Sequence, residues 1–241
     1  MTLIQIDDLI NKKRYIDKAT LEIFIPIYII TTITQVICLT IFYIVDCIVD
    51  NNDNLRLKYK IQKKKINWIK YKETFYYIFK QHFIINIPMG ILISLLWKWK
   101  GIDNSPYGYL SLNQIYKIII SYILADVIFY TGHIIIHQNK FYEIIHKQHH
   151  SWYDPSAIST TYAHPIEHIL CNIVSVYIPI IITGLHWKLS LLWICLAIIS
   201  VIISHCGYDI IGARKHDLHH SKIHVNYGPG GLCDWLFSTN E

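Results

Sequence analysis

Five apolar stretches, separated by short polar connections, set the pattern of this chain. They run from about Ile23 to Val49, Phe83 to Trp97, Ile115 to Thr131, Ile169 to Thr183 and Leu189 to Ser204. A helix needs about 20 apolar residues to cross a bilayer. Four of the stretches are only 15 to 17 residues long, which predicts tilted or re-entrant helices, or helices extended by polar ends. Pro88 and Pro179 predict kinks. Gly184-Leu185-His186 predicts a tight turn that makes a hairpin of the last two stretches. Trp97, Trp99 and Trp187 sit near segment ends, where interfacial anchors occur. The pattern predicts an all-α integral membrane bundle of about four or five segments.

Composition agrees with that reading. The 241 residues are 53% hydrophobic and 16% charged, below the quarter usual in a soluble domain. Mean hydropathy is +0.30. The formal charge of +5 comes with a run of eight Lys/Arg between Arg56 and Lys72. Such a run reads as a membrane loop on the cytosolic side, and no nucleic-acid partner is expected. The six cysteines include no C-x-x-C pair and mostly sit in apolar stretches, so reduced thiols are expected. Met1 to Lys18 mixes acidic and basic residues and lacks the apolar core of a secretory signal. The division expected is residues 1–74, an N-terminal segment with the first membrane helix and basic loop, and 75–241, a catalytic domain.

Histidine changes the picture most. Eight of the fourteen fall into three blocks, His133-x-x-x-His137, His146-x-x-His149-His150 and His216-x-x-His219-His220. Spacings of three and four bring imidazoles to one helix face. Eight imidazoles exceed the three or four protein ligands of a single zinc site, which points to two ions. Imidazole suits iron, zinc, copper and nickel alike, so ligand type alone does not choose the metal. If the last two stretches form a hairpin, all three blocks lie on one side of the membrane, and the basic loop shares that side if the second and third stretches also make a hairpin. The N-terminal basic cluster then falls on the opposite side, which the positive-inside rule disfavours.

Further residues attach to the blocks. Asp126, Tyr130, His133 and His137 form one helical stripe at i, i+4, i+7 and i+11. A carboxylate within a membrane segment needs an interior partner, so Asp126 is expected to accept a proton from a ligand imidazole. His164, beside Pro165, and His205, at the end of the fifth stretch, stand where they can join the metal ligands. His168 reads more simply as an interface residue, and His82, His186 and His224 as ordinary polar residues.

These strings resemble the fatty acid hydroxylase/sterol desaturase superfamily of membrane di-iron oxygenases. The likeness is nearest the branch holding C4-methylsterol oxidases and cholesterol 25-hydroxylase. Gly132-His133 through His137, Tyr142 through His150, Thr161 through Glu167, His205 through Asp209 and His216 through His220 carry it. Asn226-Tyr227-Gly228 and Asp234 through Thr239 resemble the closing motif, which usually has Gly where Ser238 stands. The likeness covers about residues 75–240. It implies two Fe ions held by His133, His137, His146, His149, His150, His164, His205, His216, His219 and His220, with O2 as co-substrate. It implies oxidation of an unactivated C–H bond in a sterol or fatty acyl lipid, in the endoplasmic reticulum with the histidines facing the cytosol. No His-Pro-Gly-Gly haem segment is visible, so electrons from NAD(P)H would arrive through a separate carrier such as cytochrome b5 and its reductase. Sterol oxidation, fatty acyl hydroxylation and desaturation share these ligands and differ in the carbon presented. A membrane metallohydrolase is a rival, with Glu143, Glu167 or Asp217 as base. A metal transporter is another, but it needs polar groups staggered through several spans.

Overall fold

Long apolar runs with few helix breakers become long helices here. The computed structural model describes residues 17–103, 105 and 111–241; the sequence reading of Met1 to Ile16 lies outside them. Helix α1 is Lys18–Asp50, capped by Asp17, whose carboxylate accepts from Thr20 N–H at 2.9 Å. Its 33 residues extend for about 50 Å. A short α2, Asp53–Tyr59, leads through the basic loop to α3, Trp68–Lys100. Helices α4, Leu112–Ile136, α6, Pro165–Thr183, and α7, Trp187–Ser204, are the other candidate spans. Between α4 and α6 lie a helical stretch, α5, at residues 139–150 and a three-ten turn at Ala157–Thr161. Helices α8, Ala213–Lys222, and α9, Leu232–Leu236, finish the chain.

Among the described residues there are therefore five helices long and apolar enough to cross a membrane. Two boundaries differ instructively from the sequence pattern. Helix α3 starts fifteen residues before Phe83, at Trp68, because Tyr and Lys residues of 68–81 make that half amphipathic. Pro88 sits just after a π-turn at His82–Asn86. That turn is where the helix absorbs the proline's missing N–H donor and ring bulk. Two further π-turns occur at Tyr142–His146 and His168–Val174. Gly184 adopts the left-handed conformation, φ 63°, that ends α6, and His186 caps α7.

Helix α1 packs on the second half of α3 and on α7, while α4 packs on α6. Ile93, Trp97, Ile180, Leu185 and Ile194 form the centre of this contact. Along α1, Ile25, Ile29, Ile33, Ile37, Ile41, Ile44 and Ile48 are exposed. A one-sided isoleucine stripe of this kind costs free energy in water and none in hydrocarbon. Six cysteines are free thiols.

The polar end of the bundle is a cap tied together by buried carboxylates. Asp46 of α1 accepts from Lys60 at 3.0 Å, Ser156 at 2.7 Å and Tyr208 at 2.7 Å. Asp50 accepts from Ile66 N–H and from the Trp68 indole, each at 2.9 Å. Within the basic loop, Ile61 N–H donates to Gly207 and Gln62 donates to Asp217. The basic loop and the histidine blocks thus share one end of the bundle.

Candidate metal centre

Nine imidazoles converge in this cap as two adjoining groups. The first holds His133, His137, His146, His150 and His219; the second holds His149, His205, His216 and His220. Within each group one ligating atom per residue lies within 4.8 Å of every other. The sequence blocks do not map one to a group. In each H-x-x-H-H block the i, i+4 pair serves one group and the i+3 ring serves the other. His146 and His150 enter the first group and His149 the second; His216 and His220 enter the second and His219 the first. Helices α5 and α8 therefore each straddle both.

The meeting atoms are Nε2. In the first group His133 and His146 approach to 3.0 Å, His146 and His137 to 2.9 Å, and His137 and His219 to 3.2 Å. In the second, His205 lies 3.2 Å from His149 and 2.8 Å from His216, which lies 3.1 Å from His220. These separations match the edges of a polyhedron whose metal–nitrogen bonds are about 2.0–2.1 Å.

Outward hydrogen bonds fix the tautomers of three rings, whereas Nδ1 of His137, His146, His149, His150 and His220 is buried without a hydrogen bond. Nδ1 of His133 donates to the Tyr227 carbonyl at 2.6 Å, and Nδ1 of His219 to the Val225 carbonyl at 2.7 Å. His205 Nδ1 donates to the Val201 carbonyl at 2.8 Å. A neutral imidazole has one N–H, so these three turn bare lone pairs inward. Burial, reinforced by neighbouring imidazoles, holds His146, His149, His216, His219 and His220 well below the ordinary histidine range. Burial lowers His150 to about 3 and His205 to about 4. Lone pairs packed against lone pairs repel unless a cation lies between them, so the residues present fit two nitrogen-bound ions.

Two sequence expectations are corrected. Asp126 does not face an imidazole. Its carboxylate accepts from Gly230 N–H and Cys233 N–H, each at 2.8 Å. It pins the C-terminal loop, which carries the carbonyls that orient His133 and His219. The stripe on α4 thus divides: Asp126 and Tyr130 hold the chain terminus, and His133 and His137 turn into the first group. Gly230 suits this contact because a Cβ there would collide with Asp126 and Tyr122. His164 stands outside both groups. Pro165 at the start of α6 calls for a capping acceptor, and the His164 ring supplies it to Ile166 N–H. His205 lies in the second group. Gly207, at φ 75°, lets the chain turn just after it and pass the Pro155 carbonyl, 2.6 Å from where a Cβ would stand.

Residues to which the sequence reading assigned another role, or none, support the rings from behind. Oε2 of buried Glu167 lies 2.8 Å from Nδ1 of His146, within reach although neither atom makes a well-aligned hydrogen bond. Asp234 accepts from Tyr227 N–H at 2.8 Å and Gly228 N–H at 2.7 Å, a second pin on the same loop. Ser238 adopts φ 57°, the left-handed region that favours the glycine of the closing motif. His168 is buried and bonds Asn86, and His186 caps α7. Among the described residues no carboxylate joins either group. Glu143 is paired on the surface with Lys147, and Asp217 accepts from Gln62.

A bundle of helices long and apolar enough to cross a membrane, capped by nine inward-facing imidazoles, defines a protein with two adjoining histidine groups that could each hold a metal ion. The family model for fatty acid hydroxylase matches residues 118–239, and the chain belongs to that family. Human fatty acid hydroxylase domain-containing protein 2 is 30% identical over 199 residues, 78% of this chain and 58% of that protein. Fatty acid hydroxylase ahd1 of Mycosarcoma maydis is 29% identical over 222 residues, 89% of this chain and 57% of that protein. Methylsterol monooxygenase 2-2 of Arabidopsis thaliana is 27% identical over 200 residues, 76% of this chain and 74% of that protein. The chain thus spans less than three-fifths of the length of the first two. No solved structure matches it.

Proposed function

We propose that this protein is an O2-dependent di-iron oxidoreductase that oxidises a C–H bond of a membrane lipid. A sterol is the first candidate, and hydroxylation or desaturation of a fatty acyl chain is the alternative suggested by the fatty acid hydroxylase relatives. The observation that carries the reading is the convergence of nine Nε2 atoms, with no carboxylate among the described residues joining them, in a family of hydroxylases. Two bound irons would supply the reduction of O2 and the oxidation of the C–H bond.

The chain's own residues do the rest. The Tyr227, Val225 and Val201 carbonyls keep protons on the outer ring nitrogens of His133, His219 and His205. The buried cap excludes water from the ligating atoms, and the bundle beside it offers an apolar medium in which a lipid stays dissolved. We assign electrons to NAD(P)H through a separate carrier such as cytochrome b5 and its reductase. The basic loop shares the histidine end of the bundle, which supports a cytosolic orientation in the endoplasmic reticulum membrane. A metallohydrolase is less well supported: of its candidate bases, Glu143 is exposed and paired with Lys147, Asp217 is bonded by Gln62, and Glu167 lies behind the His146 ring, on its Nδ1 side.

The test is His149→Ala and His219→Ala, one from each group. Both variants are expected to lose bound iron, by elemental analysis of purified protein, and oxidised lipid, by mass spectrometry of expressing cells. Stoichiometric iron together with full product in both would sink the assignment.

A further inference from the structure

Between α1 and the first half of α3 lies a groove of about 740 Å³, within the range of pockets that enclose a small ligand. Its walls are largely apolar, with Leu39 and Phe79 among them, and its inner side carries Ile158 and Thr161 at the three-ten turn of the cap. Polar groups stand at both ends: Tyr43, Trp68, Tyr71 and Lys72 at one, and a hydrogen-bonded set at the other. Tyr28, Thr32 and Gln35 line the second end from α1 at i, i+4 and i+7, opposite His82 and Asn86 of the π-turn in α3.

The hydrogen bonds at that end run in one direction. Asn172 Nδ2 donates to His168 Nδ1 at 3.2 Å, which leaves the His168 proton on Nε2, donated to Asn86 Oδ1 at 2.7 Å. Asn86 Nδ2 then donates to His82 Nδ1 at 3.4 Å, and His82 Nε2–H to the Tyr28 hydroxyl oxygen at 2.6 Å. Each neutral imidazole accepts on one nitrogen and donates on the other, so the Tyr28 hydrogen is left over at the end of the chain. One turn on, the buried Thr32 hydroxyl has no partner. Thr31 and Thr34 instead bond back to helix carbonyls. An unsatisfied buried hydroxyl costs free energy that a ligand's polar group recovers. Lys72 alone among the lining residues carries a fixed positive charge. It is exposed, and ten residues, about 15 Å of helix, separate it from His82.

We propose that this groove is the lipid site, and that Tyr28 and Thr32 select a neutral hydroxyl group. The substrate is then an uncharged, alcohol-bearing lipid rather than an ionised fatty acid, whose carboxylate would be desolvated there without a counter-charge. This rests on the reading of the protein as a lipid oxidoreductase and narrows its substrate. The other end of the polar chain supports it: His168 follows Glu167, the residue behind His146, so the groove end and the metal cap share one turn of α6.

The experiment measures binding of radiolabelled probes to the purified full chain in detergent, apart from turnover. Cholesterol is compared with 5α-cholestane, and oleyl alcohol with oleate. At least one alcohol is expected to bind about tenfold more tightly than its partner, and which one does so identifies the lipid skeleton. Tyr28→Phe and the near-isosteric Thr32→Val should each cut that preference about fivefold and leave cholestane binding unchanged. Oleate equal to oleyl alcohol together with cholestane equal to cholesterol, no binding of any probe, or unaltered preference in both variants would overturn the proposal. His219→Ala should retain the preference. An absence of oxidised product with the preference intact counts against the oxidoreductase reading alone.

Discussion

The two histidine groups look alike from within and are held differently from outside. His205, in the second group, is oriented by the carbonyl of Val201, four residues earlier in its own helix. In the first group, His133 depends on Tyr227, 94 residues away, and the loop bearing Tyr227 is held by Asp126, 107 residues from Cys233. The second group thus has a locally oriented ring, whereas the first is completed only when the C-terminal loop docks on α4. Similar ligand sets can therefore differ in what sustains them. Removing the loop's pins should separate the two.

The largest separation is expected from Asp126→Ala. It leaves one buried and one part-buried N–H without acceptors, about 2 kcal/mol in sum, and frees the loop that orients His133 and His219. Bound iron per chain should fall by about half, with the second group retained. Elemental analysis checks this, and loss of both irons in equal measure would erase the contrast. Glu167→Gln is milder, because only the support behind His146 changes. About tenfold weaker binding at the first group is expected in competition with a chelator.

Acid should act on both groups. His150 and His205 fall to about 3 and 4 in the folded protein through burial, while the unfolded chain titrates near 6.5. Between those values the unfolded state holds more protons. The stability these rings contribute to chelator-treated protein is therefore present above pH 6.5 and lost as pH falls through 4. Thermal unfolding of the metal-free protein between pH 7.5 and 4.5 should show a falling midpoint, and a flat profile would contradict it. The smallest effect belongs to His164→Ala. Losing the cap of α6 costs about 1 kcal/mol and leaves bound iron unchanged.

The spans were legible because apolar runs announce themselves, and the blocks because histidine spacing does. Helix α3 shows where legibility ends: its first half is amphipathic, with buried Tyr71 and Thr74 facing the cap, and no apolar run marks it. Asp126 shows a second limit. Its burial was readable from position, but its partners are backbone N–H groups more than a hundred residues later. His164 shows a third, since a capping imidazole and a ligating one look the same in a string of letters. The splitting of each block between groups needs the angle at which α5 and α8 meet, which spacing alone does not contain.

That splitting has a consequence for how metal enters. Because α5 and α8 each contribute to both groups, an ion captured by either one immobilises rings belonging to its neighbour. The ordering entropy for the second capture is then already spent, and by reciprocity the coupling is the same whichever fills first. Uptake should therefore be cooperative, and a chain whose first group is disabled should still load the second, at reduced affinity.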